Sequence, residues 1–187
     1  MSNIKDLFKN SYKELSHLNC VILLGMFAAI SIIVGRLLSF YPIPTMRISF
    51  TFLPNEFIYY LFGPSVGAIF GGVLDILNFI VSPNGAYFFG FTLSGILTGI
   101  LFGLILYRRP VSLFRIFIAT LIRVLIIDLI FNTYWLTVMY GDSFIALLPA
   151  RAIKNFIVLP IESIMLFGLI KSIEATGIIR LIRRGNE

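Results

Sequence analysis

Apolar runs long enough to cross a bilayer constrain this chain more than any other feature. Leu18 to Leu38 is interrupted only by Asn19, Ser31 and Arg36. At about 1.5 Å per helical residue it covers a hydrocarbon core of about 30 Å. Further runs extend from Phe50 to Ile80, from about Phe91 to Tyr107, from about Leu113 to Met139 and from about Leu147 to Leu169. Hydrophobic residues make up 58% of the 187, charged residues 13%, and the mean hydropathy is +0.96. The solvent of such a chain is mostly lipid, which argues against a soluble enzyme.

Proline, glycine and charge divide these runs. Ser39 to Ser49 holds Pro42, Pro44 and Arg47, cannot continue a helix, and reads as an extracellular loop. Pro54 and the Phe62-Gly63-Pro64 turn split the second run into a short span near Leu53 to Leu61 and a fuller one from Ser65 to Val81. The expected fold is an all-α membrane protein, a bundle of six transmembrane helices with both termini cytoplasmic. That orientation gathers Lys5, Lys9, Lys13, Arg108, Arg109, Arg115, Lys171, Arg180, Arg183 and Arg184 on the inside, as the positive-inside rule asks. The chain divides into a polar cytoplasmic lead-in helix (1–16), a six-helix transmembrane domain (17–175) and a basic cytoplasmic tail (176–187). The lead-in has no small-residue cleavage site and does not read as a signal peptide.

Small residues mark faces where helices approach closely. Gly25 and Ala29 are four apart on the first span, and Gly63, Gly67 and Gly71 repeat every fourth residue. After the turn at Pro83-Asn84-Gly85 come Tyr87, Phe88, Phe89 and Phe91, then an apolar segment with Gly95, Gly99 and Gly103. The aromatics read either as an interfacial belt anchoring a helix end or as the lining of an outward-facing site for a flat ring.

Ionisable residues within lipid are costly and default to a functional hypothesis once structural partners are considered. Arg123 and Glu162 lie at matching depth on consecutive antiparallel spans and are expected to form a buried ion pair. Asp75 and Asn78 share a helix face near its outer end. Asp128, Asn132 and Trp135 recur at helical spacing as one stripe, and Arg151 and Asn155 share a face with Lys154 beside them. Arg36 ends the first span at similar height. Arg36 and Arg151 either snorkel to headgroups or join the others in a pocket roofed by Tyr87 to Phe91. Such a pocket could hold an aromatic heterocycle with an anionic tail, its carboxylates met by guanidinium and ammonium groups.

The sequence has no glycine-rich loop ending in Lys and Ser or Thr. Its one histidine, His17, lies at the cytoplasmic border, away from any serine dyad or zinc helix, and its one cysteine, Cys20, permits neither an internal disulfide nor a Cys/His metal site. No catalytic residue, metal or cofactor is expected.

Several blocks resemble a known family. They are Arg47-Ile48-Ser49-Phe50-Thr51-Phe52-Leu53-Pro54; Leu61-Phe62-Gly63-Pro64 with Gly67, Gly71 and Asp75; and Pro83-x-Gly85-x-Tyr87-Phe88-x-Gly90-Phe91-Thr92-Leu93-Ser94. Two more are Leu148-Pro149-x-Arg151-x-Ile153-Lys154-Asn155 and Leu159-Pro160-Ile161-Glu162. Together they are similar to the substrate-binding S components of energy-coupling factor transporters, in particular the folate family. The resemblance implies a six-helix bundle in a prokaryotic plasma membrane that captures a vitamin at its outer face and has no motor of its own. A transmembrane coupling (T) protein and two ABC ATPase subunits would energise it, and the bundle would topple to carry its site inward. Gly25 and Ala29 stand where the family has its docking face. Folate fits the pocket, with Arg36, Arg47, Arg151 or Lys154 for its two carboxylates. Loop one, with Arg47, and the Tyr87 to Gly90 loop are candidate lids. Another water-soluble vitamin is the alternative. From other classes, a stand-alone facilitator or a structural bundle remains open.

Overall fold

Backbone polar groups in lipid must be satisfied within their own segment, and the apolar runs accordingly fold as helices. The computed structural model describes residues 4–43, 46–81, 86–141, 143–177 and 179, the side chains of 40–43 and 46–48 excepted. In chain order the helices are α1 (Ile4–Glu14), α2 (Leu18–Leu37), α3 (Phe52–Phe62), α4 (Pro64–Val81), α5 (Phe89–Leu106) and α6 (Leu113–Ile122). A π-helical segment (Arg123–Phe131), α7 (Asn132–Tyr140) and α8 (Phe144–Ala175) follow. Among the described residues, α2, α4, α5 and α8 are each long and apolar enough to cross a membrane. α3 has only 11 residues, whereas α6, the π segment and α7 run on without a break.

Three local expectations are corrected. The Ser39 to Ser49 loop is a β-hairpin, β1 (Ser39–Ile43) with β2 (Met46–Ser49), antiparallel with Ser39 opposite Ser49; the rest of the described chain is helical, as expected. Pro42 falls in the register irregularity between Phe40 and Ile43, where no ladder bond is required of it. The expected single α-helix from Leu113 to Met139 carries the π segment in its middle: the Asn132 N–H bonds to the carbonyl of Ile127, five residues back. The last span extends well past the expected Leu147 to Leu169 and carries Pro149 and Pro160 inside it. Its final turns are held where the Tyr60 hydroxyl donates to Glu174 at 3.0 Å and Lys171 pairs with Glu174 at 3.2 Å. Pro54, by contrast, sits in the first turn of α3, where its missing N–H breaks no helical bond.

The closest seam joins α4 to α5, glycine against glycine. A Cβ built on Gly67 would lie 2.7 Å from the carbonyl oxygen of Gly99, and one on Gly95 would lie 2.8 Å from that of Gly71. Only glycine permits that approach, which gives two backbones dense van der Waals contact where lipid supplies no hydrophobic drive. Against this pair the aromatic face of α3, from Phe57 to Phe62, buries itself together with Phe70, Phe102, Leu166 and Ile170.

α1 is more than a lead-in. Leu7 and Ser11 are buried against the bundle. The Ser11 hydroxyl donates to the carbonyl of Phe62 at 2.6 Å and accepts from the N–H groups of Ser65 and Val66 at 3.0 and 3.1 Å. One side chain thus satisfies the end of α3 and the start of α4 together. Gly63 sits between them at φ +86°, with the Tyr107 ring too close for any side chain.

Candidate functional site

A cavity of about 420 Å³ opens among α3, α4, α5, the π segment and α8, at the hairpin end of the bundle. Helical spacing builds it. On α8, Arg151, Lys154, Asn155, Val158 and Glu162 follow one another along a single face and all line the cavity. On α3 the lining runs from Phe52 through Asn55 and Glu56 to Tyr59; α4 contributes Asp75 and Asn78, and α5 contributes Thr98.

Charge gathers in this space. Arg123, first residue of the π segment, is surrounded by three carboxylates. One guanidinium nitrogen donates to Asp128 at 3.0 Å, another donates to Glu162, and its Nε lies 3.7 Å from Glu56. The expected pair of Arg123 and Glu162 is therefore part of a four-member cluster. Asp128 lies five residues on from Arg123, which suits the wider π winding. The same carboxylate accepts from the Asn132 amide at 3.1 Å, and the Asp128 carbonyl accepts from Thr133 at 3.2 Å and from Arg151 at 3.3 Å. The cations Arg151 and Lys154 line the same cavity, as do Asp75 and Asn78. The cavity is thus lined by carboxylates and cations together. Among the described residues, Asn55 Oδ1, Glu56 Oε2 and Arg151 Nε are buried without a hydrogen-bond partner, and each belongs to a residue that lines this cavity.

Of the residues expected from the sequence, Asp75, Asp128, Arg151, Lys154 and Asn155 come together here. The others lie elsewhere. Arg36 donates to the carbonyl of Val81 and so closes the end of α4. Asn132 supports Asp128 from behind. Trp135 leaves the stripe: its indole N–H donates to Ser94 at 3.2 Å, and its ring packs on Phe88 at 5.7 Å and stacks on Phe131 at 6.1 Å. Phe91 meets Phe88 edge-on at 6.0 Å, while Phe89 is exposed. Together these rings form a cluster beside the cavity rather than a roof over it. Tyr87 is linked indirectly. Its hydroxyl is 2.6 Å from that of Thr92, which donates to Asp75 at 2.6 Å, so the proton order runs from Tyr87 through Thr92 to the carboxylate. Arg47 belongs to β2 by its backbone, but its side chain lies outside the described residues, as do Pro83, Asn84 and Gly85. Gly25 and Ala29 are exposed on α2 beside Val21, Ile22, Met26 and Ile33.

Sequence reasoning missed Asn55, Glu56 and Tyr59. Glu56 carried a usable signal, a lone carboxylate inside the apolar run from Phe52 to Tyr60. The rule that singled out Arg123 and Glu162 applies equally there.

Residues 19–170 match the family model described as "ECF transporter, substrate-specific component". Among curated proteins, the chain is 31% identical over 169 residues to the folate transporter FolT of Clostridium novyi (strain NT), covering 90% of this chain and 98% of that one. It is 28% identical over 147 residues to the folate transporter FolT of Leuconostoc mesenteroides, covering 75% and 78%. Among solved structures, a crystal structure of FolT bound with folic acid superposes with a TM-score of 0.75 at 32% identity, over 82% of this chain and 93% of that one. With helices of membrane-spanning length around a polar cavity, and with this match over most of its length, the chain belongs to the family of substrate-specific components of ECF transporters.

Proposed function

We propose that the chain is a high-affinity folate-binding S component, one that captures the vitamin at the outer face of a prokaryotic plasma membrane and catalyses no covalent chemistry. The observation that carries this reading is the polarity of the cavity. Its volume of about 420 Å³ falls within the range of about 300–1,000 Å³ expected for small-molecule sites. Folate is a flat ring rich in N–H donors joined to a tail with two carboxylates. Carboxylates such as Glu56 and Asp75 suit the first, and the cations Arg151 and Lys154 suit the second, all of them lining the cavity. The relatives named as folate transporters, and the solved relative with folic acid bound, support the same ligand.

In this reading α2, α3, α4, α5, the continuous α6–π–α7 rod and α8 are the six crossings, with both termini cytoplasmic. α3, with 11 residues, is too short to span alone and is the partial crossing that enters from the hairpin end. The exposed α2 face with Gly25 and Ala29 docks on a membrane coupling protein, which two ABC ATPase subunits energise. The bundle then reorients with folate enclosed. The Tyr87–Thr92–Asp75 relay connects the loop before α5 to the cavity wall, and so gives that loop a means of responding to occupancy.

The test is calorimetric titration of the purified chain with folic acid. Saturable binding is expected, weakened about 10- to 100-fold by Arg151→Ala, the loss of one hydrogen bond to a charged group. Heat-silent titration of a folded sample would refute the ligand assignment. Fluorescence of Trp135 is a secondary readout, because the indole sits outside the cavity against Ser94.

A further inference from the structure

We propose that Glu56, with Asn55 beside it, is the specificity-determining acceptor of this cavity, reading a ligand edge that offers two neighbouring N–H donors. Resting on the folate reading above, this assigns the pair to the 2-amino and N3–H groups of the pterin. Glu56 is 2% exposed, yet its Oε2 has no hydrogen-bond partner among the described residues, and neither has the Asn55 side-chain carbonyl. Both residues line the cavity.

The neighbouring arginine does not account for them. Two nitrogens of Arg123 are engaged by Asp128 and Glu162. Its Nε stands 3.7 Å from Glu56, beyond hydrogen-bonding range. A buried carboxylate with an open acceptor is costly, and an ionised one can be satisfied only by donors. Arg123 already supplies a cation at this point. What is missing is a pair of N–H groups on a flat frame that can reach the wall of α3, where Phe52 and Tyr59 line the cavity on either side of the pair in sequence. An amino-oxo pyrimidine edge has that shape and that donor pattern. A ring presenting a methyl or a carbonyl there would leave Glu56 unsatisfied, which is how a site built around buried acceptors rejects close analogues.

The experiment compares folic acid with its 2-deamino-2-methyl analogue, which keeps the ring, N3–H and tail but loses the amine. On the unmodified chain the analogue is expected to bind on the order of 10- to 100-fold more weakly. In Glu56→Gln that ratio should fall toward unity while folic acid itself weakens, the coupling expected of two groups in contact. A wild-type ratio below about threefold overturns the proposal without any variant. So does a ratio unchanged in Glu56→Gln. If Glu56→Gln does not fold, the wild-type comparison and Asn55→Leu, which should also lower the ratio, decide it. Failure of the wild type to bind folic acid at all would instead refute the folate reading, and this assignment with it.

Discussion

Arg123 holds Glu56, Asp128 and Glu162 around one guanidinium, and removing it strands all three. Arg123→Gln should therefore destabilise the chain by about 3–5 kcal/mol, whereas Glu162→Gln should cost much less. An isolated pair would be relieved by neutralising both partners. Here the double variant Arg123→Gln/Glu162→Gln should stay near the arginine single variant, because Glu56 and Asp128 remain. Thermal unfolding in detergent of the three variants measures this, and recovery in the double variant would show that Arg123 and Glu162 form a simple pair. At this scale the sequence was partly legible. Charges inside apolar runs announced Arg123 and Glu162, and helical spacing grouped Arg151, Lys154 and Asn155. Arg36 and Asn132 misled because a polar side chain at the right height can equally be occupied by a carbonyl or a neighbouring carboxylate, as both are.

Among elements, the α4–α5 seam is the least tolerant. Gly71→Ala places a methyl against the backbone of Gly95 and should cost about 1–3 kcal/mol, as overpacking does. Gly25→Ala on α2, where a Cβ would meet nothing within 4 Å, should be neutral or slightly stabilising in the same unfolding measurement. Ser11→Ala should cost about 1–2 kcal/mol, since it uncaps α4 and releases the end of α3 together. The helices and the glycine spacing were legible because a four-residue repeat of small side chains has few other uses in lipid. The π segment was not. Apolar residues on both sides conceal a change of winding, and the Asp128, Asn132, Trp135 stripe assumed uniform α geometry. The hairpin was also hidden, because two prolines in eleven residues read as an irregular connection.

For the whole molecule, the cavity and the proposed docking face lie on different surfaces. The cavity lies among α3, α4, α5, the π segment and α8, while Gly25 and Ala29 face outward on α2. Ala29→Trp is therefore expected to leave folic acid affinity within about twofold of the unmodified chain while abolishing uptake by cells that carry the energising subunits. A parallel loss of affinity would place α2 in the site instead. The glycine seam carries a consequence at the level of the gene. Every glycine codon shares its first two bases, so third-base changes at positions 67, 71, 95 and 99 are silent, and any change in the first two adds a side chain or a stop. In a population of genes under selection for uptake, nucleotide diversity at those four codons should collapse onto the third base, while codon 168, where a Cβ would meet nothing within 4 Å, drifts at all three.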